Sequence, residues 1–191
     1  MKIVLASKSA RRKELLSMIC SDFTIRVSDA DESYSESDLF KVPALLASKK
    51  AMAVFLNDDE IIIGCDTVVI NNGELFGKPK DRDDAVRMLK AMSGHFHYVV
   101  SGVFLRTREK CHSFSVSTRV YMRELTDGEI DFYVDRFAPY DKAGAYGIQE
   151  SAGAFIEKID GDFYNVVGLP ICALTAALRD EFGIVLLKEA L

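Results

Sequence analysis

The chain has 191 residues, and 24 Lys plus Arg against 29 Asp plus Glu leave a formal charge of −5, which excludes a generally basic nucleic-acid binder. With 49% hydrophobic and 28% charged residues, the composition excludes dominant disorder and fits one globular domain over 1–191. Any anion this chain binds must meet a local concentration of positive charge.

The opening run Met1–Ala6 reads as a strand from Ile3. It is too brief for a signal peptide or a membrane span before Ser7, Lys8, Ser9 and the Arg11-Arg12 pair, so the expected address is the cytoplasm. Ser7-Lys8-Ser9 reads as a turn, and Ala10 to about Ile19 as a helix with Leu15, Leu16 and Ile19 on one face. A second strand near Phe23–Val27 leads into an acidic, Ser-rich surface loop, Ser28 to Asp38, and then a helix over about Leu39–Phe55.

Ile61–Cys65 and Val68–Ile70 are two β-branched runs, with Asp66-Thr67 expected to interrupt them and Asn71-Asn72-Gly73 to form a hairpin turn. Asp81–Met92 reads as a helix with acidic residues in its first turn and Ser93-Gly94 as its stop. Two long strands, about His95–Arg106 and Cys111–Arg123, precede a capping box, Thr126-Asp127-Gly128-Glu129, that opens a helix to about Arg136. A Gly-containing polar segment, Pro139–Gly153, is followed by a strand near Phe155–Ile159 and a helix from Pro170 to Phe182, with Gly183 as its stop. The irregular alternation predicts a mixed-sheet α/β protein without internal repeats. Cys20, Cys65, Cys111 and Cys172 include no CxxC pair, which argues against a disulfide framework or zinc site. Three of them stand among apolar neighbours, where a thiol packs as a small hydrophobe.

Ser7-Lys8-Ser9-Ala10-Arg11-Arg12 lies where a strand meets a helix N-terminus, so unpaired N–H groups, two hydroxyls and up to three cations could hold an anion; alternatively Ser9 is only an N-cap and the arginines are solvated. The segment lacks P-loop glycines. Asp66, between apolar runs, must be paired, bind a metal or face a cleft, unless it is a satisfied aspartate at a turn. Lys78 stands between Gly77 and Pro79, which restrict its backbone, although exposed lysines are common. Lys49 and Lys50 point about 100° apart on a helix, so one of them is expected to face away from any site. Glu32 belongs to an acidic stretch whose ordinary reading is a solvated loop. His95 and His97 share one strand face with no third ligand nearby, which favours packing over metal binding. Together, Arg11, Arg12, Lys50 and Lys78 would make a basic cleft in which Asp66 and Glu32 hold a divalent cation, as polyphosphate hydrolysis requires.

Ser7-x-Ser9-x-Arg11-Arg12 with Leu15-Leu16, Glu32, Lys50-Ala51, Gly64-x-Asp66-Thr67-Val68-Val69, Gly77-Lys78-Pro79, Ser93-Gly94, Asp141–Gln149 and Val167-Gly168-Leu169-Pro170 occur in that order. This series resembles the Maf family of nucleoside triphosphate pyrophosphatases. The resemblance implies an elongated, twisted mixed β-sheet flanked by helices, two lobes with a central cleft as in inosine-triphosphatase-like folds, and often a homodimer. It implies cleavage of the α–β phosphoanhydride with a divalent metal, Mg²⁺ or Mn²⁺, and maps the proton acceptor onto Asp66. Phosphate-binding cations map onto Arg12, Lys50 and Lys78, with Ser7 and Ser9 supporting the loop and Glu32 lining the metal or substrate site. Arg11, Thr67 and Gln149 match members acting on dTTP and UTP, a reading that extends to modified pyrimidine nucleotides; the methyl-GTP type has Trp, Gln and Glu there. An amide such as Gln149 both donates and accepts, as a thymine or uracil edge requires. Ala10 departs from the Pro usual in the family's first helical turn. The expected partner is a nucleoside triphosphate, with no nucleic acid or membrane. The competing reading is a nucleotide-sensing regulator of cell division without significant turnover.

Overall fold

The computed structural model describes residues 1–27 and 29–186; Ser28, which opens the expected acidic loop, lies outside them. In chain order the elements are β1 (Lys2–Ala6), α1 (Ala10–Ser17), β2 (Phe23–Ile25), α2 (Val42–Met52), β3 (Glu60–Asn71), β4 (Glu74–Phe76), α3 (Arg82–Met92), β5 (Phe96–Arg106), β6 (Cys111–Met122), α4 (Asp127–Phe137), β7 (Ile156–Asp160), α5 (Phe163–Val167) and α6 (Ile171–Phe182). Among the described residues the strands form one seven-stranded sheet in the order β2-β1-β3-β5-β6-β7, with β4 paired to β3 off that path. Strand β1 runs parallel to β2 and β3, whereas β3/β4 and β6/β7 are antiparallel. The sheet is therefore mixed, as the irregular element order implies.

The chain forms two compact units. The first comprises Met1–Asp66, Ser101–Val116 and the segment from Gly168; the second comprises Thr67–Val100 and Ser117–Val167. In the first, Val4, Ala6 and Ile62 from the parallel strands bury with Ala51 and Val54. In the second, Ala85, Met88, Leu89 and Met92 repeat at helical spacing along α3 and bury with Ile130, Tyr133 and Val134 of α4 and Val120 and Met122 of β6.

Local chemistry sets the boundaries. Asn72 and Gly73 take left-handed conformations, φ 48° and 79°, as a two-residue hairpin turn requires. The capping box at Thr126 and Glu129 is present, and Gly183 ends α6 in the left-handed region. Helix α2 is shorter than its alanine-rich sequence suggests, because Pro43 occupies its first turn and a turn from Asp38 to Lys41 precedes it. The two apolar runs around Asp66 form one continuous strand, β3, without the expected interruption. Helix α5 forms where no element is expected, and the 3₁₀ turns Ala143–Ala145 and Ser151–Phe155 begin in the segment read only as polar, the second taking Phe155 from the expected strand. The cysteines also differ from expectation: Cys65 is buried, but Cys20 is half-buried and Cys111 and Cys172 are exposed. Cys172 stands between Ile171 and Ala173 but on the outer face of α6, whose buried positions are Ile171, Leu174 and Leu178, so apolar sequence neighbours do not bury it.

Candidate active site

The site in the first unit begins where the parallel strands end. Ala6 of β1 pairs with Gly64 of β3, after which β1 stops and β3 continues, so the turn into α1 leaves beside the strand carrying Asp66. This carboxyl edge is where open α/β sheets place ligands. Ser7 is buried, and its Oγ accepts from the Ser9 N–H at 3.2 Å and from Arg12 Nη1 at 3.4 Å. Ser9 is the N-cap of α1, accepting from the Arg12 N–H at 3.4 Å. Arg12 Nε donates to the Gly168 carbonyl at 2.9 Å. The guanidinium is thus fixed at the positive end of a helix whose remaining N–H groups favour an anion. Ser9 therefore is the cap that the plainer reading foresaw, yet Arg12 is not simply solvated.

Gly64 explains how α2 reaches the same edge. A Cβ at this position would lie 2.2 Å from the Ala47 carbonyl oxygen and 2.9 Å from the Ala51 Cβ, so only glycine admits the helix at this distance. Asp66 is two residues further on, on the same strand face. Lys50 shares a helix face with Ala47 and Ala51 and hydrogen-bonds Asp66 Oδ1 through Nζ. The same ammonium lies 3.1 Å from Glu32 Oε1. Asp66 is only 8% exposed, a burial that the paired ammonium offsets. Glu32 is mostly exposed. Lys49 diverges as helical geometry demands, donating to the Ser33 carbonyl at 2.6 Å, with Asp31 at 3.8 Å. Successive lysines thereby hold the acidic loop at two places, and Lys49 faces away from Asp66 as expected for one of the pair. Bonds from the Ser33 hydroxyl and N–H hold the Asp31 carboxyl below its ordinary pKa.

Asp66 and Glu32 meet a single ammonium, so their oxygens converge within the reach of one cation. Two carboxylates are the donor set that Mg²⁺ or Mn²⁺ takes when phosphate and water complete its shell. The residues therefore fit a divalent metal.

The second unit carries three further expected site residues. Thr67 follows Asp66 in β3 and is half-buried; Lys78 and Gln149 are exposed. The loop 141–150 is tied down internally. Gly144 N–H donates to the Gly77 carbonyl at 3.0 Å, and a Cβ on Gly144, whose φ is 67°, would lie 2.8 Å from Val69 Cγ2. Tyr146 OH and His97 Nε2 lie 2.7 Å apart in the core. Burial lowers the His97 pKa to about 4 and raises that of Tyr146. His97 is therefore a packed, neutral core histidine. Arg11 is half-buried in α1, beside Arg12.

Two contributors escape sequence reasoning: the Gly168 carbonyl and the space at Gly64. The first is a backbone atom 156 residues from its partner, and nothing in its type signals the contact. Gly64 beside an apolar strand does carry a signal, since glycine within a strand often marks a close approach.

A family model described as Maf-like protein matches residues 2–181. The chain is 46% identical to a dTTP/UTP pyrophosphatase of Thermosipho africanus over 95% of this chain and 94% of that protein. A dTTP/UTP pyrophosphatase of Parabacteroides distasonis is 47% identical, covering 93% of this chain and 95% of its own. The solved structure of the Staphylococcus aureus Ham1 protein, 18% identical, superposes with a TM-score of 0.54 across 95% of this chain and 100% of that one, a likeness of fold alone. With a family model over nearly the whole chain and relatives of 46–47% identity, the chain belongs to the Maf-like protein family.

Proposed function

We propose that this chain hydrolyses the α–β phosphoanhydride of dTTP and UTP, releasing the nucleoside monophosphate and pyrophosphate. The relatives' names support the substrate class. The observation that carries the chemistry is the convergence of Lys50 on buried Asp66 and Glu32, in the unit that also holds the Ser7–Arg12 turn. The turn's N–H groups and the Arg12 guanidinium receive phosphate oxygens, and Lys50 adds a second charge. Lys78 contributes a further cation. Arg11, Thr67 and Gln149 select the pyrimidine, with Gln149 offering both a donor and an acceptor to its edge.

Asp66 and Glu32 would hold Mg²⁺ or Mn²⁺, which when bound neutralises phosphate charge and sets the triphosphate's orientation. Lys50 engages Oδ1 of Asp66; the second oxygen is the one we assign to orienting the attacking water and accepting its proton. We place this activity in the cytoplasm and in a homodimer, with a free nucleotide rather than a nucleic acid as partner. Among the described residues no helix is long and apolar enough to cross a membrane.

A panel of common and modified nucleoside triphosphates, assayed for phosphate with and without added inorganic pyrophosphatase, tests the reading. The expected result is phosphate from dTTP and UTP only when pyrophosphatase is present. Direct release of phosphate, or saturable binding without product as the sensor reading requires, would contradict it.

A further inference from the structure

We propose that Lys142 is a positioning residue for substrate selection, a role that rests on the function proposed above. Its side chain is buried inside the loop that ends at Gln149, and its Nζ binds Asp141 Oδ1 at 2.8 Å and Glu150 Oε2 at 3.3 Å. The tie spans the loop, joining its first residues to the one that follows Gln149. The loop is built around this side chain: a Cβ on Gly147 would lie 2.9 Å from Lys142 Cε and 3.1 Å from Cδ. Further along, Gly144 and Ala145 take left-handed conformations, φ 67° and 61°. For alanine that conformation is sterically disfavoured and persists only where the surroundings hold it. Ala145 is fully buried, and its N–H donates to the Lys142 carbonyl at 3.2 Å.

The same loop touches the neighbouring functional segment. The Gly144 N–H donates to the Gly77 carbonyl, and Gly77 immediately precedes Lys78. One braced loop therefore fixes the exposed amide of Gln149 on one side and the approach of Lys78 on the other. Lys142 does not need to touch the nucleotide. Its ammonium holds Glu150, and through Glu150 the backbone of Gln149, in one place.

A contact to the base, away from the reacting phosphorus, is made equally in the ground and transition states, so loosening it raises KM and leaves kcat nearly unchanged. Lys142→Met removes the tie while keeping most of the buried stem, and Glu150→Gln removes only the charge of its partner. The experiment measures KM and kcat for dTTP, UTP, dCTP and GTP in the wild type and both variants, with calorimetric Kd values for the same nucleotides and thermal midpoints. Both variants are expected to raise KM and Kd for dTTP and UTP about tenfold and to shrink the preference over dCTP about tenfold, with kcat changed much less. A merely structural role would lower the midpoint and the active fraction while leaving KM and the base preference alone. That result in a folded Glu150→Gln protein overturns the proposal even if Lys142→Met does not fold. A wild type that binds pyrimidine nucleotides selectively without turnover overturns the proposed function, while loss of that selectivity in the variants still supports the role of Lys142.

Discussion

Lys50 neutralises a buried carboxylate in the free protein and is assigned to phosphate in the complex, so its removal should separate stability from catalysis. Lys50→Met leaves Asp66 without its ammonium, and the expected loss is about 3 kcal/mol of stability with about 100-fold in kcat. Combining it with Asp66→Asn should recover part of the stability and none of the activity, as denaturant unfolding and steady-state rates on the four proteins will measure. Two other residues contribute to the response to acid. The Arg26 guanidinium, bidentate to Glu60 at 2.7 and 2.9 Å, lowers that carboxyl from 4.5 to about 2, with help from Asn57. The folded state thus gains stability above pH 4.5 that disappears as pH falls towards 2. Burial lowers His97 from 6.5 to about 4, so the unfolded chain binds a proton in this window that the folded chain refuses. Stability should fall by about 3 kcal/mol as pH drops through it. Urea unfolding at pH 7, 5.5 and 4 follows the His97 effect and a further point at pH 2.5 the Glu60 effect, and a His97→Asn variant should show the flatter curve between pH 6.5 and 4.

The meeting of β3 and α2 fixes the site at the scale of elements. Gly64→Ala would drive a methyl into the Ala47 carbonyl and the Ala51 side chain. Moving α2 outward costs about 2 kcal/mol and draws Lys50 off Asp66. The expected variant has a lower thermal midpoint and about tenfold less activity, a figure for modest misplacement; wild-type values for both would show that the close approach is unnecessary. Element types were largely legible here because periodicity and capping residues are local: the α3 stripe, the Thr126 capping box and the Asn-Gly hairpin all follow from neighbouring residues. The expected break at Asp66-Thr67 fails for the opposite reason. A carboxylate interrupts a buried strand only if nothing neutralises it, and its partner stands 16 residues earlier on another element. Helix α5 and the two 3₁₀ turns likewise gain support from tertiary contacts, with Asn165 of α5 donating to the Val99 carbonyl and to Thr118.

For the whole molecule, the strand order β2-β1-β3-β5-β6-β7 depends on pairings between distant segments, which local patterning does not encode. The mixed α/β class was legible all the same. A few short motifs that keep their order over most of the chain also singled out Asp66, Lys50 and the Ser7–Arg12 turn, which the fold places in one unit. What the motifs could not supply was partnership: which lysine meets Asp66, which carbonyl holds Arg12, and how the 141–150 loop is braced. The formal charge of −5 excludes a long polyanion spread over the surface, and it is compatible with one small triphosphate met by a few placed cations. Sedimentation at micromolar concentration should give a dimer mass if the proposed homodimer is correct, and a monomer mass would contradict it. The central claim rests on Asp66, and its most direct test is the rate of dTTP hydrolysis by the wild type and by Asp66→Asn, matched for folded fraction by thermal unfolding. Loss of about 100-fold or more in kcat, with a folded variant that still binds nucleotide, is the expected result; hydrolysis at the wild-type rate would contradict the assigned role.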